Sequence, residues 1–263
     1  MANRKIGDEP AVPSNTMQTL KTFFKKEIFA EVVMPTKPSS KVVIICDGMP
    51  SVPSKRMLLE FFAKKGYCAI HVRYRGSWES HGKFLEVSPD RDILDVIDEL
   101  PKGFTDLWTK KNYKLHPKET ILLGTSFGGP AAILASRDAR VTKVIVIAPV
   151  VDWKRDGKKE RMKDFIPFML EAYGMAYRTT KKNWSKLLNG GFYSPMALVQ
   201  TLDGSKLFIL HAKDDDIVPF RPVAQFAKKT GATFVALKTG GHLSSSMIME
   251  PKIWKTISRF LRS

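Results

Sequence analysis

Short apolar runs rich in β-branched residues alternate along this chain with amphipathic stretches of helical period. "EIFAEVVMP" alternates apolar with polar and predicts an early antiparallel strand. "KVVIICDG" is continuously apolar, the pattern of a strand covered on both faces. "SVPSKRMLLEFFAKKG" predicts a helix with Pro53 near its start, an apolar stripe of Met57, Leu58, Phe61 and Phe62, and Gly66 at its end. "YCAIHVRY", "ETILLGTS" and "VTKVIVIAP" predict further strands, with helices over "DRDILDVIDELP" and "GGPAAILASRD". Ile93, Leu94, Ile97 and Leu100 recur at helical spacing in the first of these. The alternation stops after Pro149. From there to about Ser205 no buried strand is predicted, only helical candidates such as "RMKDFIPFMLEAYG" and "KKNWSKLL". Connections in α/β proteins usually span about 2–6 residues, so this stretch is an insertion. Alternation resumes with "KLFILHAKDDD", "FRPVAQFAKKTG", "ATFVALKTGGH" and a closing helix in "MIMEPKIWKTISRFLRS".

Strand, helix and strand repeated in this way predict an α/β fold, a mostly parallel central sheet with helices on both faces. The expected organisation is a flexible N-terminal tail over 1–20, a core over 21–149 and 206–263, and a helical cap insertion over 150–205. A length of 263 residues suits one such core.

Composition changes this picture little. No apolar run approaches the ~20 residues of a membrane-spanning helix. The opening "MANRKIGDEPAVPSNT" lacks the apolar core of a secretory signal, so a cytoplasmic protein is expected. Cys46 and Cys68 sit in strand-like runs and read as small core residues, with no metal-ligand spacing and no disulfide framework. The net charge of +17 is spread along the chain rather than gathered on a motif. It is read as a basic solvated surface with no specific nucleic-acid partner, since specific binding would need a patterned basic face.

The candidate chemistry begins at Gly124-Thr125-Ser126-Phe127-Gly128. A G-x-S-x-G pattern between a strand and a helix is the setting of a nucleophile elbow, where a tight turn projects the serine hydroxyl from the strand end. The same serine could instead cap the following helix. A serine hydroxyl attacks only if a base takes its proton. Of the five histidines, His71 lies in a strand run and reads as a packed residue. His116 lies in a lysine-rich loop, His81 in a glycine-bearing loop, and His211 at a strand end near backbone acceptors. His242, after the last strand, can reach over the sheet end and is the candidate base. An acid must orient that base. "HAKDDDIVPF" offers three adjacent aspartates, giving the chain order serine, aspartate, histidine.

On these motifs the chain resembles the α/β-hydrolase superfamily over roughly residues 22–262. "GTSFGG" resembles its nucleophile elbow, "TGGHL" its histidine loop, and "HAKDDDIVPF" its acid loop of the form H-G-x-x-D-x-x-V-P. Aligning Val218 and Pro219 puts the acid on Asp215, with Asp214 as the alternative and Ala212 where the family usually has glycine. The resemblance implies an oxyanion hole from the backbone N–H groups of Phe127 and Met49. The Met49 loop, "CDGMPS", has Asp47-Gly48 where the family often has His-Gly. "RYRGSWESHGKF" resembles a segment of esterase, prolyl-oligopeptidase-like or serine-aminopeptidase-like members, with Trp78 replacing a common glycine; Trp78 and His81 are candidate pocket walls. In the insertion, Trp153, Phe165, Phe168, Met169, Tyr173, Met175, Tyr177 and Trp184 are expected to pack its helices onto the core.

The expected function is a serine hydrolase, a carboxylesterase using Ser126, Asp215 and His242 on a small-molecule ester, with no cofactor and no metal. The positive charge would suit an anionic substrate, including a thioester. An aminopeptidase-like peptidase is the nearest rival. It would need carboxylates to hold a substrate amine, and Asp156, Glu160, Asp164 and Glu171 are outnumbered by bases in the insertion. A non-catalytic binding protein on the same fold is the reading of another class. Oligomeric state is not legible.

Overall fold

The structure, a computed structural model, describes residues 17–155, 157–158 and 161–263. Eight strands form one sheet: β1 (Thr19–Phe24), β2 (Ile28–Val33), β3 (Lys41–Cys46), β4 (Cys68–Val72), β5 (Glu119–Thr125), β6 (Lys143–Ile147), β7 (Leu207–Ala212) and β8 (Thr233–Leu237). Their order across the sheet is β1-β2-β4-β3-β5-β6-β7-β8. β2 runs antiparallel to both neighbours, and every other pair is parallel. The mostly parallel sheet expected from the alternation is therefore present. The expected tail falls mainly on residues outside those described, and its last two, Thr19 and Leu20, already belong to β1. That strand was not predicted because "TLKTFF" buries Thr22 between Leu20 and Phe24, which blurs the apolar period.

The continuous apolar runs fill both faces of the sheet. Val42, Ile44 and Cys46 of β3 join one core with Ile93 and Val96 of α2 (Pro89–Glu99), Ile133 of α3 (Gly128–Ala135) and Phe226 of α6 (Phe220–Thr230). Val43 and Ile45 face the other way, onto Leu59 and Phe62 of α1 (Arg56–Lys64) and Ile257 and Phe260 of α7 (Pro251–Phe260). This is the period-two alternation of a strand with apolar cover on each side. The stripe of α1 differs from expectation. Leu58, Leu59, Phe62 and Ala63 are buried, whereas Met57 is 74% exposed. Rotating the helix by one residue keeps the same spacing, and Phe61 then sits at the margin, edge-on to Trp254 at 5.0 Å. The closing helix starts only at Pro251, where a fixed φ and a missing N–H suit the first turn.

Between β6 and β7 the described residues hold no strand of the sheet. They form α4 (Met162–Tyr173), α5 (Lys181–Leu188) and three short 3₁₀ turns. Trp153, Phe165, Met169, Tyr177 and Trp184 are buried as expected, and Tyr173 is partly buried. Phe168 and Met175 are not, being 49% and 77% exposed. They lie on the outer side of helical turns whose inner side already covers the core.

Candidate active site

The register of the parallel strands brings their carboxyl ends to one edge. Cys46 pairs with Gly124, Thr125 with Ile147, and Ala212 with Leu237. The loops carrying Asp47, Ser126, Asp215 and His242 all leave from this edge, the usual side for ligand sites in α/β sheets.

Ser126 follows β5 directly and has φ +50°, a left-handed conformation that costs a non-glycine residue roughly 1–2 kcal/mol. The turn is held from both sides. The Ser126 N–H donates to the Ile147 carbonyl (3.1 Å), and the Ser126 carbonyl accepts from Gly129 (3.0 Å) and Val150 (3.2 Å). Such tightness needs the glycines. A Cβ on Gly128 would lie 2.0 Å from the Cys46 carbonyl oxygen, and one on Gly124 would lie 2.6 Å from that of Gly128. The capping alternative fails. The N-cap of α3 is Phe127, with no side-chain cap bond, and Ser126 Oγ makes no hydrogen bond among the described residues.

The three aspartates of the acid loop divide. Asp215, its side chain fully buried, accepts at Oδ1 from the Ile217 and Val218 amides, each at 2.9 Å. Its Oδ2 lies 2.9 Å from His242 Nδ1. A carboxylate only accepts, so the Nδ1 proton of His242 points to it and Nε2 is left as the acceptor. Asp214 instead accepts from the Gly241 and Gly240 amides, at 2.9 and 3.2 Å. These bonds, Gly241 foremost, hold its carboxyl below the usual range. Asp214 thus ties down the histidine loop while Asp215 faces the imidazole. His211 donates from Nε2 to the Val218 carbonyl at 3.0 Å, and burial holds its pKa below the usual range against the pull of Asp215.

Phe127 and Met49 are 1% and 6% exposed, and neither backbone N–H has a protein acceptor among the described residues. Buried N–H groups without partners are rare. Both residues border the same cleft as Ser126. The divergent Asp47 sits beside them. Its Oδ1 accepts from the Gly48 amide (2.9 Å) and pairs with Lys55 (3.1 Å), and its Oδ2 lies 3.4 Å from His71 Nε2. Burial alone would raise its pKa, but His71 and Lys55 together hold it at about 2. His71 is buried but is more than a packed residue, because its Nδ1 meets Arg73 Nη1 at 2.7 Å. The same Nδ1 lies 3.8 Å from Glu31 Oε2, so the ring stands between the Glu31 and Asp47 carboxylates. Tyr74, which sequence reasoning did not single out, donates from its hydroxyl to the Asp47 carbonyl at 3.2 Å.

A family model described as the alpha/beta hydrolase family matches residues 54–252, more than half of the chain. The chain belongs to the alpha/beta hydrolase family. No curated protein matches the sequence. Among solved structures, an esterase of Pyrococcus furiosus superposes with a TM-score of 0.66 at 19% identity, covering 99% of this chain and 96% of that one. An acylaminoacyl peptidase of Pyrococcus horikoshii gives 0.66 at 17% identity, with 94% of this chain and 42% of that one covered. A butyrate-bound thermophilic esterase from Thermogutta terrifontis gives 0.63 at 16%, with 92% and 93% covered. These likenesses are of fold.

Two clefts meet at Ser126 in this alpha/beta hydrolase. One, of about 570 Å³ with its solvent, is walled by Phe127, Val151, Trp153, Phe165, Val218 and Val223. The other, of about 660 Å³, is more polar and is bordered by Asp47, Lys55, His242, Ser244 and Ser245. Trp78 borders a third, smaller cavity with Asp47 and His71 but does not border either cleft. His81 is not a pocket wall. It is exposed and stacks on Phe23 of β1 at 5.0 Å, drawn there by the bond from its amide to the Glu27 carbonyl. Among the described residues no cluster of side chains could hold a metal ion, and no helix is long and apolar enough to cross a membrane.

Proposed function

We propose that this chain is a serine hydrolase that cleaves carboxylic esters through an acyl-enzyme. The observation that carries this reading is the Asp215–His242 contact of 2.9 Å, in a cleft that the strained Ser126 also borders. In the proposed cycle, Ser126 Oγ attacks the ester carbonyl while its proton passes to His242 Nε2. Asp215 accepts from Nδ1 and stabilises the imidazolium. The carbonyl oxygen, now anionic, takes hydrogen bonds from the Phe127 and Met49 amides, each worth about 2.7–4 kcal/mol in the transition state. The carbon–oxygen bond to the alcohol breaks as His242 returns the proton to it. Water then attacks the acyl carbon and gives a proton to His242, the bond from that carbon to Ser126 Oγ breaks, and His242 returns the proton to Oγ as the acid leaves. No hydrogen bond joins Ser126 to His242 in the structure, and such bonds often tighten only with substrate.

In this reading the 150–205 segment is a cap, and Trp153 and Phe165 line an apolar acyl pocket. The polar cleft receives the alcohol, with Lys55 at its wall, although Asp47 pairs that cation. The acids Asp164 and Glu171 border neither cleft, and Asp156 and Glu160 lie outside the described residues. The carboxylates that do border the clefts are already paired, Asp152 with Arg155 and Asp47 with Lys55, which favours esterase over aminopeptidase. A fluorophosphonate probe tests the reading: labelling is expected on the wild-type chain and lost in Ser126→Ala. An unlabelled wild type would sink it. Asp215→Asn should lower kcat on p-nitrophenyl esters by about 10³–10⁴, and Asp214→Asn by far less.

A further inference from the structure

Tyr193 lies in the segment between β6 and β7, 66 residues from Phe127, yet its hydroxyl enters the first turn of α3. The Ala131 N–H donates to the Tyr193 hydroxyl at 3.1 Å, and that hydroxyl donates to the Phe127 carbonyl at 2.6 Å. Phe127 and Ala131 are the donor–acceptor pair that closes the first turn of an ordinary helix. The phenol oxygen therefore contacts both backbone groups of the turn that follows Ser126. Its other constraints are unusual too. Tyr193 is 2% exposed and has φ +55°, a strained conformation for a bulky residue. That conformation is pinned by Trp153, whose Nε1 donates to the Tyr193 carbonyl at 2.6 Å. The Tyr193 ring lies 5.0 Å from the Phe127 ring. Backbone strain at a buried position persists only where surrounding contacts over-determine it, and it gathers at functional sites.

We propose that Tyr193 is a positioning residue for the oxyanion hole, holding the Phe127 peptide so that its N–H points at the substrate oxygen. This rests on the serine-hydrolase reading above. The peptide between Ser126 and Phe127 is fixed at its carbonyl by Gly129 and Val150, and the Phe127 residue is fixed at its own carbonyl by Tyr193. With both ends held, the intervening N–H has one direction. Without the hydroxyl, the Phe127 carbonyl loses its side-chain donor, and the residue that carries the N–H is held less firmly on its carboxyl side. The segment that borders the apolar cleft thereby also sets the electrostatics of the reaction centre. Trp153 links the two roles, since it walls the cleft and holds Tyr193.

The test is Tyr193→Phe, which keeps the ring and removes only the hydroxyl. Ester kinetics, melting temperature, affinity for an alkyl boronic acid and fluorophosphonate labelling are measured beside the wild type. The expected result is a fall in kcat of about 10- to 100-fold. KM should stay within about twofold, and boronate affinity should fall with kcat/KM. The melting temperature should drop by only about 2–4 °C. A purely structural tyrosine would lower the melting temperature and leave kcat unchanged, and that outcome overturns the inference. A rise in KM in place of a fall in kcat overturns it as well. A Tyr193→Phe chain that does not fold would make the hydroxyl structural and overturn the inference as well. A wild type that neither labels nor turns over esters overturns both readings, whereas a labelled wild type with an unimpaired variant overturns only this one.

Discussion

Strands β4 and β7 are buried along their whole length, and β3 at all but its first residue. In the segment between β6 and β7, burial falls on one to three residues at a time, separated by exposed or partly buried ones. The two regions are held by different physics. The sheet is continuous apolar packing plus a backbone ladder. The segment is fastened to the loop after β4 by a few backbone bonds, such as Phe84 N–H to the Arg178 carbonyl, and by side chains that reach for main-chain carbonyls. Arg178 donates to the carbonyls of Trp78, Ser80 and Met175. Thr179 and Asn183 donate to that of Phe84, and Lys186 to those of Leu85 and Glu86. Part of the chain's positive charge is thus spent on neutral backbone acceptors rather than on ion pairs. The site draws on both regions. The sheet sets where Ser126, Asp215 and His242 leave the backbone, and the segment supplies one cleft wall and the Tyr193 hydroxyl bonded to Phe127.

Four measurements would break or sharpen this contrast. The largest effect is expected in the sheet region. Gly128→Ala forces a Cβ against a carbonyl of β3 and should cost about 3 kcal/mol or more, read as a lowered urea midpoint for the whole molecule. An unchanged midpoint would mean that the elbow is looser than its geometry implies. Next, Arg178→Met removes charge-assisted bonds worth about 1.5–3 kcal/mol each at most. Here the loss should appear first as faster proteolysis within 150–205, before global unfolding. Simultaneous loss of both regions would erase the distinction.

Acid provides the third measurement. Glu31 and Asp47 are both held at about 2, Glu31 chiefly by His71 and Arg73, Asp47 by His71 and Lys55 against its burial. A depressed carboxyl stabilises the fold above its unfolded pKa and loses that contribution as pH falls toward its folded value. The melting temperature should therefore fall between about pH 4.5 and pH 2, and Asp47→Asn should flatten that slope. The smallest effect is expected at Met175, 77% exposed on the segment: Met175→Ser should shift stability by less than about 0.5 kcal/mol.

Legibility followed the same divide. The eight-stranded sheet was readable except for β1, because strands covered on both faces leave little choice of residue. That Ser126, His242 and the three aspartates of the acid loop gather at one edge of the sheet was readable because each sits where a motif meets a strand end. Asp214 and Asp215 are adjacent and chemically identical, and only loop geometry separates them. Met57 and Leu59 have similar hydrophobicity and neighbouring phase, so the face of α1 could not be assigned to the residue. His81 looked like a wall residue by proximity in sequence, yet the loop carries it to the outside of β1. Tyr193 carried no signal at all, since "GFYSP" has no period and no family motif.

The order of apolar runs and glycine-bearing turns, by itself, determined that this chain builds a parallel sheet with a serine at a strand end and an aspartate and a histidine after later strands. Local sequence can do this because burial period and turn sterics act over a few residues. Only the tertiary structure decided which aspartate meets His242, that Lys55 and His71 flank Asp47, and that the Tyr193 hydroxyl meets the turn after Ser126. Each of those outcomes depends on groups brought within about 3 Å from distant parts of the chain, and a hydrogen bond has no existence until packing supplies that distance.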